Sequence, residues 1–275
     1  MTPRRMFLCL PLLAIAGAVT AAAAAVVKTD PTPTEIDNII HKFAAKESEF
    51  AKARDNYTYR QTTKIIEYDP DGNQGGRYEM VFDVVFDNSG KRSEHVVRAP
   101  VSTLQRIIMT PEDEQDLRNV MPFVLTSEDI DQYYVRYLGR EKVDEITTYV
   151  FAVKPKQLDR SGKRYFEGEI WVDDQDLQIV KTYGRATGYL KRKGQQFPKF
   201  ETYREQIDGK YWFPTYTYAD DVLNFDNGPV RIKQIIRYED YKQFKSESTI
   251  KYNDPGATPP PQNEPPKPPQ PQPQY

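Results

Sequence analysis

The chain has 275 residues, with 38 lysines and arginines against 40 aspartates and glutamates and a formal net charge of −2. This balance excludes a protein that coats nucleic acid, because such a protein carries a basic excess. A single cysteine excludes an internal disulfide and a cysteine-rich zinc site, and the two histidines, His41 and His95, leave little material for a histidine-based metal centre. We therefore expect no catalytic residues, no metal, no cofactor and no enzymatic activity.

Residues 1–25 have the composition of a secretory leader. Arg4 and Arg5 form a basic start, an apolar run covers residues 6–19, and alanine fills residues 21–25. The apolar run is shorter than the roughly 20 residues that cross a bilayer. We therefore expect cleavage of a signal peptide and export to the periplasm.

Residues 254–275 form a tail of a different composition. Ten prolines fall within residues 255–275, mixed with glutamine and with almost no apolar side chains. Such a segment cannot bury a core and is typical of an extended, disordered, polyproline-like chain. It serves either as a solubilising terminus or as a spacer that contacts the cell wall or a partner. Residues 26–253 remain as one domain.

Two helices are predicted in this domain. In the first, over residues 32–54, Thr32 is the N-cap, Pro33 takes the first helical position and Glu35 stands at the capping-box spacing. The second begins after Thr110 and ends near Pro122, with three acids in the first turn, where the helix dipole favours negative charge. Each helix has one apolar face that should lie on another element. In the first helix this face is Ile36, Ile39, Ile40, Phe43 and Phe50.

Ten further segments predict strands. In the clearest of them, residues 78–86, apolar side chains occupy alternate positions, as in a half-buried strand. Turn-forming sequences separate the segments at hairpin spacing. The pattern favours an α+β fold of mainly antiparallel strands, in which a meander curls into a barrel or a strongly bent sheet. The ten segments are 56–69, 78–86, 92–98, 133–141, 146–154, 164–173, 177–185, 199–207, 210–218 and 230–241.

Three clusters of residues have no specific chemistry assigned by their pattern. Asp173, Asp174 and Asp176 lie between two predicted strands without the glycine and glutamate of a calcium loop, so a solvated turn is the better interpretation. The basic run at 191–193 is either a solvated hairpin tip or a contact with an anionic surface. The aromatic residues at 211–218 either fill the sheet core or form the wall of a cavity for an apolar ligand.

Three local sequences resemble those of a known family. They are Tyr149-Val-Phe-Ala-Val-Lys-Pro155, Gly168-Glu-Ile-Trp-Val-Asp173 followed by Ile179-Val-Lys181, and Asp208-Gly-Lys-Tyr-Trp-Phe-Pro214. Together with the order of elements over residues 34–245, they resemble the outer-membrane lipoprotein-sorting family of LolA-like periplasmic carriers. The resemblance implies a half-open curved sheet whose concave face is covered by amphipathic helices.

The resemblance also implies a function. The family holds acyl chains of lipids or lipoproteins in an apolar cavity, as a carrier or chaperone in transport, with inner- and outer-membrane proteins as partners and only peripheral membrane contact. It further implies an arginine that bonds the helices of the lid, for which Arg60, Arg77 and Arg98 are the candidates. An alternative is an envelope sensor or interaction adaptor with the same fold, a filled core and no transport role.

Strand parity selects the side chains that should line such a cavity, because alternate residues share one face of a sheet. A slip of one residue would exchange the two faces of a strand. The predicted ligand-binding residues are Met80, Phe82, Val84, Phe86, Tyr149, Phe151, Ile170, Val172, Ile232 and Ile236.

Overall fold

The computed structural model describes residues 30–87, 91–189, 196–226 and 228–244. The expected leader, the proline-rich tail and the basic run at 191–193 lie outside these ranges. The helices within them are α1 (Pro33–Arg54) and α2 (Pro111–Asn119), and a 3₁₀ turn covers Ile130–Gln132. The strands are β1 (Tyr57–Tyr68), β2 (Gln74–Phe86), β3 (Arg92–Ser102), β4 (Tyr133–Val143), β5 (Ile146–Pro155), β6 (Arg164–Asp173), β7 (Ile179–Gly188), β8 (Phe200–Ile207), β9 (Tyr211–Phe225) and β10 (Gly228–Gln243).

The described strands form one antiparallel sheet in the order β3-β2-β1-β10-β9-β8-β7-β6-β5-β4. Strands β1–β3 make one meander and β4–β10 make a second. The two are joined where β1 pairs with β10, with Tyr57 opposite Gln243 and Tyr68 opposite Arg231. The sheet is curved and does not close, so the predicted α+β class with mainly antiparallel strands is confirmed.

Helix α1 begins as its sequence predicts. The Thr32 hydroxyl accepts a hydrogen bond from the Glu35 backbone N–H, and the Glu35 carboxylate accepts one from the Thr32 N–H at 2.7 Å. This capping box satisfies two backbone donors that a helix start leaves without intrahelical partners. Phe43 and Phe50 on the predicted apolar face are fully buried.

Helix α2 begins with the same device. Thr110 and Asp113 form a second capping box, in which the Asp113 carboxylate accepts from the Thr110 N–H at 2.9 Å and from its hydroxyl at 2.8 Å. The helix ends at Asn119, three residues before the proline that predicted its end. A short helix with these bonds holds its first turn in a defined position, which matters because that turn borders the site described below.

Both helices cover the same face of the sheet and enclose the main core. Phe43 of α1 contacts Phe151 of β5, with ring centroids 5.4 Å apart. Phe123, which follows α2, stacks on Phe166 of β6 at 4.5 Å. Leu117 of α2 belongs to the same buried cluster. The expected arrangement, with helices over one apolar sheet face, is therefore present.

Strand β9 extends seven residues beyond the predicted segment, which ended at residue 218. Asp220 lies outside the covered face and forms a bidentate ion pair with Arg231 of the neighbouring strand β10, both bonds 2.8 Å long. Asp221 has the same parity as the buried Ala219 and Leu223, and its carboxylate accepts the Lys199 N–H at 2.8 Å. Alternation therefore continues through the charged pair.

The remaining sequence clusters have structural roles. Asp173 begins the turn between β6 and β7, where its carboxylate accepts from the Gln175 N–H at 2.9 Å. The predicted turn is present but is not solvated throughout, because Asp173 is buried and the buried Asp174 side chain pairs with Arg140 at 3.0 Å. Trp171 packs on the opposite sheet face and donates its indole N–H to Glu141 at 2.7 Å. In the described ranges, no three His, Cys, Asp or Glu side chains are grouped to hold a metal ion. None of the helices in these ranges is long and apolar enough to cross a membrane.

Candidate functional site: an apolar cavity under segment 103–110

An apolar cavity of about 300 Å³ lies between the segment 103–110, helix α2 and the covered face of β1, β9 and β10. Segment 103–110 connects β3 to α2 and forms the outer wall. The segment 196–200, which leads into β8, closes another side. Ile108 is 83% exposed although it lines the cavity, which places it at the mouth. The apolar lining consists of Ile65, Ile107, Ile108, Met109, Leu117, Met121, Ala186, Phe197, Pro198, Phe200, Leu223, Phe225 and Ile232.

Glu67 holds the outer wall in place. This glutamate of β1 is 3% exposed, and its carboxylate accepts backbone N–H bonds from Gln105 at 2.7 Å, Arg106 at 3.1 Å and Gly76 at 3.3 Å. Gly76 is needed for this approach, since a Cβ there would overlap the carbonyl oxygen of Thr103. The wall of the cavity is thus bonded to the sheet by a buried carboxylate rather than by regular secondary structure.

The cavity also carries polar side chains. Arg106, Thr110, Asp113, Asp116, Gln196 and Gln234 contribute to its lining. Asp116 is buried on α2, and its carboxylate lies 3.6 Å from Nε of Arg164 on β6 without forming a hydrogen bond to it. Burial raises the pKa of Asp116 to about 7 because desolvation outweighs the attraction of Arg164, and the nearby acids Asp113 and Glu112 raise it further.

This shift predicts how stability depends on pH. The folded-state pKa of Asp116 lies above the unfolded value of about 3.9, so between about pH 4 and pH 7 the unfolded state releases a proton that the folded state keeps. The free energy of unfolding should therefore fall as pH rises through this window and lose nothing more above it. We expect the Asp116→Asn variant to lack this fall, on the order of 2 to 4 kcal/mol.

Urea unfolding of both proteins at pH values of about 4.5 and 7.5 measures the difference. The comparison uses the change within each protein, because the asparagine also leaves Arg164 without its anionic neighbour and lowers the absolute stability. Equal pH dependence in the two proteins would show that Asp116 is ionised normally in the folded state.

A buried ion pair connects the helices to the sheet. Nη1 of Arg204 on β8 lies 3.1 Å from both carboxylate oxygens of Glu47 on α1, and Nη2 donates to the Phe123 carbonyl in the segment after α2. Glu47 also accepts the Ile179 N–H at 3.0 Å. Burial raises the pKa of Glu47 and lowers that of Arg204, and their mutual attraction opposes both shifts.

The arginine that bonds the helices is therefore Arg204, and none of the three candidates from the sequence has this position. Arg60 of β1 pairs with Asp83 of the neighbouring strand β2 at 2.7 Å, so it joins two strands and no helix. The other two, Arg77 and Arg98, lie near Glu79 on β2. A sequence feature could have identified Arg204, because it continues the buried parity of β8 after Phe200 and Thr202. A charge at a core-facing position needs a buried partner.

The structure distributes the ten predicted ligand-binding residues over several clusters. Ile232 lines the cavity. Met80, Phe82 and Val84 form a buried cluster with Ile65 and Tyr78, against which the half-buried Met109 of the outer wall packs. Tyr149 packs at the margin of the main core, and the ring of Phe86 stacks on that of Phe244, the residue after β10, at 4.6 Å. The remaining four belong to the main core and are Phe151, Ile170, Val172 and Ile236.

Contact of these ten residues with a ligand stays a prediction. Strand parity identified residues on the covered face, but it could not show which part of that face is left open by the helices. None of the aromatic residues at 211–218 lines this cavity, and only Phe213 among them is buried. Phe213 packs edge-on against Phe50 of α1, with ring centroids 5.1 Å apart, and its ring lies 4.6 Å from that of Tyr57.

The protein is thus an open antiparallel sheet with one helix-covered face and an apolar cavity between that face and its cover.

No protein-family model matches the chain, and no curated protein matches it. Among solved structures, a DUF1329 family protein from Desulfovibrio piger is similar, with 13% identity and a TM-score of 0.37 over 75% of this chain and 92% of that chain. A candidate outer membrane lipoprotein-sorting protein domain from Vibrio parahaemolyticus has 13% identity and a TM-score of 0.33 over 78% and 96%.

The protein MucB is similar as well, with 14% identity and a TM-score of 0.26 over 76% of this chain and 94% of that chain. A lipoprotein-sorting domain is therefore among the structures that this chain is similar to. The identities and TM-scores are low, so the function proposed below rests on the chain's own residues.

Proposed function

We propose that this protein binds a lipid acyl chain in the cavity under segment 103–110, as a periplasmic carrier of lipids or lipoproteins. The observation that carries the proposal is the cavity itself, an apolar space between the helix-covered sheet face and an irregular wall. Thr103 at the start of this wall bonds to Arg77, and its middle bonds to Glu67. Its volume of about 300 Å³ lies at the lower end of the roughly 300 to 1,000 Å³ of small-molecule sites. A space of this size suits one chain of moderate length.

Chain binding at this site requires no covalent chemistry. Each methylene moved from water into the cavity contributes about 0.8 kcal/mol, which gives useful affinity to a chain of moderate length. Release requires only that the wall move. The wall formed by segment 103–110 has few regular backbone bonds of its own and depends on Glu67, so it is the part of the covering layer that can open with the least loss of structure.

The first test is to export the protein with its own leader, purify it without detergent and record native and denaturing mass spectra. We expect a stoichiometric species that carries an acyl chain. The Leu223→Trp variant should carry about one tenth of the lipid per protein, or less, because the larger ring takes up cavity space next to Ile232. Val101→Trp introduces the same side chain on exposed strand β3 and should retain the lipid.

If the bound lipid is lost during purification, calorimetric titration with 1-decanol tests whether the empty cavity takes up a chain. A chain-free mass together with no uptake of 1-decanol by the wild-type protein would overturn the proposal. Equal loss of binding in Leu223→Trp and Val101→Trp would place the ligand elsewhere on the molecule.

A second candidate function has support from strand β3. All its residues are exposed, among them Val96, Val97 and Val101, and its outer edge pairs with no strand in the described part of the chain. Such an edge can accept an extended segment of another protein as an additional strand. This supports the envelope sensor or adaptor, a function that a chain-free interior in the experiment above would favour.

A further inference from the structure

Arg106 is the lining residue whose charge has no partner. Its backbone N–H bonds to Glu67, which fixes the start of its side chain at the cavity wall. In the described ranges its guanidinium has neither an ion pair nor a hydrogen bond, and Nη2 lies near Gly228, where β10 begins. The residue is half-buried, so this cation is only partly solvated.

Neither of the two carboxylates of the lining pairs with Arg106. Asp113 accepts both the N–H and the hydroxyl of Thr110 in the capping box, so its oxygens are directed to the start of α2. Asp116 is buried beside Arg164, and burial raises its pKa to about 7, so its negative charge is only partly present at neutral pH. Arg106 is thus a cation of the cavity lining that no carboxylate pairs with in the described ranges.

A second guanidinium with unpaired donors lies behind the cavity wall. The Arg164 side chain is 9% exposed, and its Nε and Nη1 have no hydrogen-bond partner. It lies over the ring of Phe197, 4.4 Å from the centroid, and Phe197 lines the cavity. Buried guanidinium donors without acceptors are uncommon, since each costs free energy when it is left unpaired. An acceptor oxygen near Phe197 would therefore relieve these unpaired donors.

We propose that the cavity selects amphiphiles with an anionic oxygen-bearing head, whose chain occupies the apolar space while the head pairs with Arg106. This inference rests on the proposed function, because it assumes that a chain enters the cavity. A carboxylate or a phosphate matches the forked donors of an arginine and forms charge-assisted hydrogen bonds with it. A fatty acid and a phosphate-bearing lipid share this chemistry, and a neutral acylated molecule lacks it.

The experiment compares three ligands with the same ten-carbon chain: decanoate, decyl phosphate and 1-decanol. Calorimetric titration of the wild-type protein at low salt should give roughly five- to tenfold tighter binding of the two anions than of the alcohol. The Arg106→Gln variant should bind all three ligands alike. The fold should survive the change, because the bond from the residue 106 backbone to Glu67 is kept. Arg106→Lys should retain part of the preference.

Arg136→Gln is the matched control. Arg136 is exposed on β4, at the far edge of the sheet from β1 and β10, and its side chain has no ion pair in the described ranges, so the variant loses the same charge away from the cavity. We expect it to keep the preference for anions. Tighter binding of decanoate than of decyl phosphate would support a fatty acid as the ligand, and the reverse order would support a phosphate-bearing lipid.

Three results would overturn the inference and leave the proposed function standing. The first is equal binding of 1-decanol and both anions by the wild-type protein, and the second is an anion preference that persists in Arg106→Gln. An equal loss of preference in Arg106→Gln and Arg136→Gln would also overturn it, because it would indicate an effect of net charge alone. If none of the three ligands binds, the proposed function itself fails.

Discussion

Replacing Arg204 by methionine is expected to lower the free energy of unfolding by about 3 to 5 kcal/mol, the range for removal of one partner from a buried ion pair. The side chains of Arg204 and Glu47 are 1% and 0% exposed. Without the guanidinium, Glu47 keeps only the Ile179 N–H as a donor, and the Phe123 carbonyl loses its side-chain donor. The carboxylate of Glu47 would then be buried without solvation by water and without an ion-pair partner.

The double variant Glu47→Leu/Arg204→Met separates this penalty from simple loss of packing. It removes the unpaired charge, so we expect it to recover more than half of the loss, since buried ion pairs can often be replaced by apolar residues of similar volume. Urea unfolding at neutral pH measures all three proteins. A single-variant loss below about 1 kcal/mol, or a double variant less stable than Arg204→Met, would show that the pair does not hold the helices to the sheet.

The second large effect is expected for Gly184→Ala, at about 3 kcal/mol of destabilisation. Gly184 and Gly168 face each other across β7 and β6, and the ring of Phe166 lies over both. A Cβ at residue 184 would overlap the Glu167 carbonyl oxygen and lie 2.7 Å from Cζ of Phe166. The ring has no room to withdraw, because it stacks on Phe123 at 4.5 Å.

Gly75→Ala provides the matched control. Gly75 also lies in a strand, but the nearest atom to its added Cβ is a side-chain carbon of Glu67 at 3.3 Å, which a small adjustment can accommodate. We expect a loss below about 1 kcal/mol there. Thermal unfolding of both variants gives the comparison. Similar stability of the two would mean that β6 and β7 can separate slightly without disturbing the core.

The sequence predicted the architecture well because its signals are local. Ten alternating segments correspond to the ten described strands, and the caps at Thr32 and Thr110 mark helices that begin where predicted. Each of these signals involves residues within one turn or one hairpin. The boundaries that differed, such as the end of β9, depend on an ion pair between neighbouring strands that no single segment contains.

The site was harder to predict for a physical reason. Strand parity identifies a covered face, but the cavity is bounded largely by two irregular segments, 103–110 and 196–200. The first is held by Glu67, 38 residues earlier than its partner Gln105 in the chain. Arg204 similarly bonds a helix residue 157 positions away. A single sequence gives only one indirect signal of contacts at such separations. That signal is a charged residue at a position that faces the core.

The pairing of β1 with β10 has a consequence for how the chain reaches its folded state. The first and last described strands are neighbours inside the sheet, third and fourth from one edge. The meander β1–β3 and the meander β4–β10 therefore share their main sheet contact only through the final strand. Until residues 228–243 are available, β1 and β9 each present an open edge. The two meanders can therefore join only after the last strand, β10, has been synthesised and is free to pair. A chain that ends before β10 would expose the edges of β1 and β9, which promotes aggregation.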